Sequence, residues 1–288
     1  MYCNITERRI IMWIAAAFVT MVCFGANNTI FKWSTGNGYS KVHIQLYFYF
    51  TAFILTIGFG IIKGVHLGLS AILLGAIIGI LNANGNIQMS KAFENGPASL
   101  TSPIIGTNAI FPILTAGIIF NEHITVLQWV GIVFMLGSAI TIQYSPAANR
   151  IINYRPWMIR VILSIMSFGL LGILMKTSSF FHIGSLEILI AMYGGGTLYL
   201  GICSLTIKEK WQKSEANVGS IVGLISFFGY SSYFYALQTG TASIVFPIVS
   251  LNCLVVVLAG LLFFKEKLKS YQLVGVFTAL LGIIFTKL

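Results

Sequence analysis

The strongest constraint on this chain is that half of it repeats the other half. The stretch from Lys91 to Ile140 meets a second stretch 144 positions later without a gap. From Ala92/Ala236 to Ile140/Ile284, 15 of 49 aligned pairs are identical, including Gly96/Gly240, Ser99/Ser243, Pro103/Pro247, Asn108/Asn252, Glu122/Glu266 and Gln128/Gln272. Apolar sequences match Leu with Leu by chance, but not Pro, Asn, Glu and Gln at one offset. The same offset aligns Phe24-Gly25 with Phe168-Gly169, Lys32 with Lys176 and Tyr49 with Tyr193, so the unit extends over nearly the whole chain. A repeat of this kind predicts two structural units of one design.

Composition sets the solvent. Of 288 residues, 57% are hydrophobic and only 8% charged, and none is Asp. A soluble domain carries about 25% charged residues, so most of this surface must meet lipid. A spanning helix needs about 20 apolar residues. Ten such segments fit, near 10–31, 42–62, 71–90, 98–120, 124–144, 157–176, 183–207, 217–236, 242–264 and 268–287. They leave no room for a soluble catalytic domain. The expected fold class is all-α integral membrane, ten transmembrane helices as two inverted five-helix repeats. The inversion follows from the odd number: after five crossings the second copy enters from the opposite side. Inverted repeats are the architecture of secondary transporters, with the site near the midplane.

The net charge of +10 does not indicate nucleic acid, because the basic residues are scattered over short connections. The segment after Glu7-Arg8-Arg9 is too long for a signal-peptide core and lacks a cleavage site. Cys3, Cys23, Cys203 and Cys253 have no metal or redox spacing. Trp13, Trp157 and Trp211, near segment ends, fit an interfacial aromatic belt.

The third segment is the most polar. In LNANGNIQMS, Asn82 and Asn86 share one helical face, and Asn84 and Gln88 roughly the opposite one. Amides in hydrocarbon must meet protein or water, so one face is expected to line a cavity and the other to bond a neighbouring helix, with a local unwinding at Asn84-Gly85 as an alternative. Gly75-x-x-x-Gly79 and its copy Gly219-x-x-x-Gly223 predict close symmetric helix packing. Pro103 and Pro112 predict kinks around Asn108. The residues expected to line a substrate cavity are Asn27, Asn28, Tyr49, Asn82, Asn86, Asn108, Tyr230 and Asn252. Amides and tyrosines carry no fixed charge and suit a neutral or zwitterionic solute. Possible charged contacts are Lys32 and Lys176, as carboxylate ligands or snorkelling side chains, and Glu187, the acid placed inside the seventh segment. Glu122 and Glu266 fall at segment ends and are expected to cap or stabilise turns at the surface.

These residues together resemble the EamA branch of the drug/metabolite transporter (DMT) superfamily. The resemblance rests on Phe24-Gly25…Lys32 and on the doubled pattern small-Gly-x-Ala-Ser…Pro…Glu…Gln-x-Val-Gly. It implies EamA-type repeats over 1–144 and 157–288 joined by a linker at 145–156. It also implies a non-enzymatic, multi-pass transporter of the cell (inner) membrane, without cofactor. Such a protein would export a small polar, amino-acid-like metabolite by alternating access. Sugars, nucleotide sugars, amines or a lipid-linked sugar are the alternative cargoes. A membrane-embedded enzyme would need a His, Asp, Glu or Cys cluster, and His43, His66, His123 and His182 have no spaced partner. The partners implied are a small-molecule substrate and membrane lipid, with no nucleic acid; the oligomeric state stays open, a monomer included. Orientation is open too. Twelve basic residues lie on the side away from the termini and five on the terminal side, which favours termini outside, whereas the resemblance implies cytoplasmic termini.

Overall fold

The structure is a computed structural model that describes residues 3–95, 98–144, 154–206, 209–263 and 269–287. Every regular element among the described residues is a helix, and none is a strand. In chain order they form α1 (Cys3–Gly36), α2 (Lys41–Ile62), α3 (Leu69–Asn95), α4 (Ala98–Gly106), a 3-10 turn at Thr107–Ala109 and α5 (Ile110–Ile118). There follow α6 (Val126–Gln143), α7 (Tyr154–Phe180), α8 (Ser185–Thr206), α9 (Lys213–Thr239), α10 (Ala242–Ser250), α11 (Asn252–Phe263) and α12 (Ser270–Lys287). Among the described residues, eight helices are long and apolar enough to cross a membrane. Two further apolar helices, Ile104–Ile118 and Ser270–Thr286, are shorter. Glu266, Gly96, Pro97 and residues 145–153 of the expected linker lie outside the described residues, as do the side chains of Ser99 and Pro103.

The fourth expected segment is interrupted for a local reason. A proline ring clashes with the carbonyl four residues earlier and donates no N–H to it. Pro112 therefore disrupts the helix at Asn108, where the 3-10 turn Thr107–Ala109 stands. The second copy breaks at the equivalent place. α10 ends at Ser250, and Asn252 opens α11. Both breaks carry the paired asparagine of the repeat.

The halves interlock rather than sit side by side. The most extensive packing joins α6 to α12, α3 to α8 and α7, and α9 to α2 and α1. The paired glycine motifs explain two of these contacts. A Cβ on Gly75 or Gly79 would collide with the backbone of α8 at Ile188 and Met192, and one on Gly219 or Gly223 with α2 at Ile44 and Phe48. The same motif thus makes the same close approach in each half, α3 on α8 and α9 on α2. α6 and α12 meet at Gly131 and Gly282, and Ser138 Oγ donates to the Gly275 carbonyl at 2.6 Å.

Helix α3 runs unbroken through Asn84-Gly85. Gly85 instead lets α7 approach: a Cβ there would lie 2.7 Å from the Phe168 ring, and Ser164 Oγ donates to the Gly85 carbonyl at 3.0 Å. Trp13 is buried, and its ring fills the space in front of Gly240 rather than an interfacial belt. Trp157 Nε1 donates to Thr101 Oγ at 2.9 Å, and Trp211 stacks on His43.

Candidate functional site

The polar face of α3 divides as helical periodicity requires. On one side, Asn84 donates to Ser167 Oγ of α7 at 2.9 Å and accepts from Tyr199 of α8 at 3.1 Å. Gln88 bonds Asn84 Oδ1 at 3.0 Å and accepts from Arg160 at 2.8 Å. This network fastens α3 to α7 and α8. On the other side, Asn82 and Asn86 face a central cavity of about 270 Å³.

That cavity gathers residues from both repeats. Asn27 and Asn28 come from α1, Asn82 and Asn86 from α3, Asn108 from the 3-10 turn, Tyr230 from α9 and Asn252 from the α10–α11 break. Seven of the eight expected lining residues therefore meet at one place. Tyr49 is the exception. It is fully buried behind the lining, with its ring 5.7 Å from that of its repeat partner Tyr193. Sequence reasoning missed Ser102, Gln143 and the apolar wall of Phe24, Phe48, Phe168 and Phe246. Nothing separates these four phenylalanines from the rest of the chain's 22 until the packing is known.

Specific bonds shape the lining. Asn82 Nδ2 donates to Tyr230 Oη at 2.7 Å, tying α3 to α9, and Asn28 Nδ2 donates to Asn252 Oδ1 at 3.1 Å, tying α1 to α11. The Tyr230 ring packs on Phe24 with centroids 4.7 Å apart. Ser102 Oγ donates to Gln143 Oε1 at 2.6 Å. Among the described lining residues there is no Lys, Arg, His, Asp or Glu.

The cavity is asymmetric along the membrane normal. Its lining reaches Met89, Ser102 and Gln143, near the end of α3, the start of α4 and the end of α6, and so extends toward the face opposite the chain termini. Toward the terminal face it stops at Pro112, Tyr233 and Phe246. Beyond them lies a charged cluster. Glu122, between α5 and α6, accepts from the backbone N–H of Ala242 at 3.0 Å and of Ser243 at 2.9 Å, and from Ser243 Oγ at 2.8 Å. It also pairs with Lys176 of α7 at 2.7 Å, both side chains only 12% exposed. The expected capping role thus takes a specific form. Glu122 caps α10 of the other repeat, and it is enclosed rather than on the surface. Partial burial pushes its pKa up, but the Lys176 bond and the Ser243 and Ala242 N–H groups outweigh this and hold it below the usual carboxylate value.

The charged candidates fall outside the cavity. Lys176 is engaged by Glu122, Lys32 is exposed near the end of α1 and is not among the lining residues, and Glu187 lies in the first turn of α8, where it accepts from Gly68 N–H at 3.4 Å. Among the described residues, the acid fully inside the protein is a different one. Glu215, at the start of α9, is completely buried and accepts from Ser40 N at 2.7 Å, Gln212 N at 3.2 Å and the His43 ring at 3.0 Å. His43 is equally buried and stacks on Trp211 at 3.9 Å between centroids. No spacing in the sequence marks this pair. The two residues are 172 apart in sequence and meet only because α2 packs on α9.

Comparison with known proteins agrees with this architecture. A family model described as the EamA-like transporter family matches twice, over residues 11–144 and 155–288. One solved crystal structure superposes with a TM-score of 0.79 over 95% of this chain and 98% of its own, at 10% sequence identity, which establishes the shared fold alone. No curated protein matches in sequence.

Proposed function

From a chain that belongs to the EamA-like transporter family, and is therefore a multi-pass membrane protein, we propose a secondary transporter that works by alternating access. All ten apolar segments cross the membrane. The cargo is a small polar, amino-acid-like metabolite, exported across the cytoplasmic (inner) membrane. The observation that carries this reading is the cavity itself: an uncharged, amide- and aromatic-lined space at the breaks of two repeat-related helices, which reaches toward one face and stops toward the other at Pro112, Tyr233 and Phe246. Broken helices and a site at the repeat interface are what alternating access uses.

A lining without carboxylate or imidazole favours transport driven by the solute's own gradient or by exchange over proton coupling through the cavity. The test is counterflow in proteoliposomes over a panel of amino acids, amines, sugars and nucleosides. A solute whose uptake saturates and is accelerated by the same solute on the opposite side supports the reading. Uptake that never saturates and shows no such acceleration for any panel member contradicts it.

A further inference from the structure

The amides around the cavity are not free to turn. An asparagine can offer either its oxygen or its NH2 group, and the two are alike in shape. Here the choice is forced. Nδ2 of Asn86 donates to the Asn82 carbonyl at 2.9 Å, Nδ2 of Asn108 to the Ile105 carbonyl at 2.7 Å, and Nδ2 of Asn252 to the Val249 carbonyl at 2.9 Å. A backbone carbonyl only accepts. The donor end of each amide must therefore face its own helix, with the oxygen directed away. Asn252 Oδ1 then takes Asn28 Nδ2, which fixes Asn28 in the same sense.

Three acceptors result. Among the described residues no donor reaches Oδ1 of Asn28, Asn86 or Asn108, and all three residues line the one cavity. The repeat shows why Asn108 is open while its twin Asn252 is satisfied. The position equivalent to Asn28 is Gly172, which has no side chain to donate and packs on Pro112 instead. The break in symmetry leaves the first-half asparagine without an internal partner.

The surroundings reinforce this polarity. The described lining offers ring faces at Phe24, Tyr230 and Phe246 but no cation. Carbonyl-type oxygens and ring faces both attract an ammonium group. A carboxylate or phosphate would meet the lone pairs of these three oxygens, with no cation among the described lining residues to balance it.

We propose that the cavity recognises its solute through a protonated amine held by Oδ1 of Asn28, Asn86 and Asn108, with an apolar or aromatic body against the ring wall. The substrate class is a small organic amine. An amino-acid-like solute is held by its ammonium end, and its carboxylate is dispensable. This deepens the transporter reading and rests on it.

Three probes with one body separate the possibilities: 2-phenylethylamine, its N-acetyl derivative and 3-phenylpropionate, titrated calorimetrically into the purified protein at pH 7. The amine binds about tenfold or more tightly than either other probe, as loss of charge-assisted hydrogen bonds requires. Asn108→Leu weakens amine binding about tenfold, and Asn108→Asp, which adds charge at the same oxygen position, strengthens it. Equal or tighter binding of the carboxylate or the acetylated probe, or no binding of the amine, overturns the assignment. Saturable proteoliposome transport of the carboxylate, with the amine excluded, would sink the amine assignment and leave the transporter reading standing. Amine binding with no solute of any kind transported would do the reverse.

Discussion

Glu122 offers a quantitative test of how the terminal face is held shut. Its carboxylate serves four donors at 2.7–3.0 Å: Lys176 Nζ, the N–H groups of Ala242 and Ser243, and Ser243 Oγ. Replacing Glu122 with Ala removes the N-terminal cap of α10, worth about 1 kcal/mol. It also leaves the Lys176 ammonium, only 12% exposed, without its partner, at about 1–2 kcal/mol. The expected loss is about 2–3 kcal/mol. Lys176→Met leaves three of Glu122's donors in place and costs about 1 kcal/mol. The double variant, with no ammonium left to strand, should then lose about 1 kcal/mol, less than Glu122→Ala alone, a coupling of about 2–3 kcal/mol. Unfolding in mixed micelles by dodecyl sulfate titration, followed by tryptophan fluorescence, measures all three. Additivity within about 0.3–0.5 kcal/mol would refute the pairing. The pH dependence has a definite sign. The folded-state pKa of Glu122 lies below its unfolded value, so its contribution is fully present above about pH 4.3 and is lost as pH falls through the lowered value. The advantage of the native protein over Glu122→Gln should be constant from pH 7 to about pH 5 and shrink below about pH 4.3.

Other perturbations follow from the packing. Gly79→Leu drives a side chain into the Met192 backbone and should cost more than about 3 kcal/mol, read as loss of a monodisperse peak in size-exclusion chromatography, while Gly201→Leu, with open space around its Cα, should elute normally. Glu215→Leu strands the donors at Ser40, Gln212 and His43, with an expected loss of about 3 kcal/mol. Glu215→Gln keeps an acceptor and should lose about half as much by the same titration.

Much of this fold was legible because helical periodicity and the 144-residue offset are local or additive signals. They located the close approaches at Gly75/Gly79 and Gly219/Gly223, divided Asn82 and Asn86 from Asn84 and Gln88, and marked Asn108 and Asn252 as a pair. Periodicity assigns a residue to a face but does not name what lies across from it. So it missed that Glu122 would reach Ser243, 121 residues away, and that His43 would meet Glu215. Tyr49 was misplaced for a related reason: α8 covers it, and Gly196 accommodates its ring. The orientation of the amides depends on side-chain bonds to carbonyls three or four residues earlier, made at the helix breaks by Asn108 and Asn252 and within the unbroken α3 by Asn86, and residue type alone does not foretell them.

The central claim is that the amide-lined cavity is the path of the transported solute. It is tested most directly by proteoliposome counterflow of the best panel solute with Asn86→Ala, Asn108→Ala and Tyr230→Phe, each checked for a native elution profile. Loss of transport by about tenfold or more in at least the two asparagine variants is the predicted result. Native rates in all three would contradict the account.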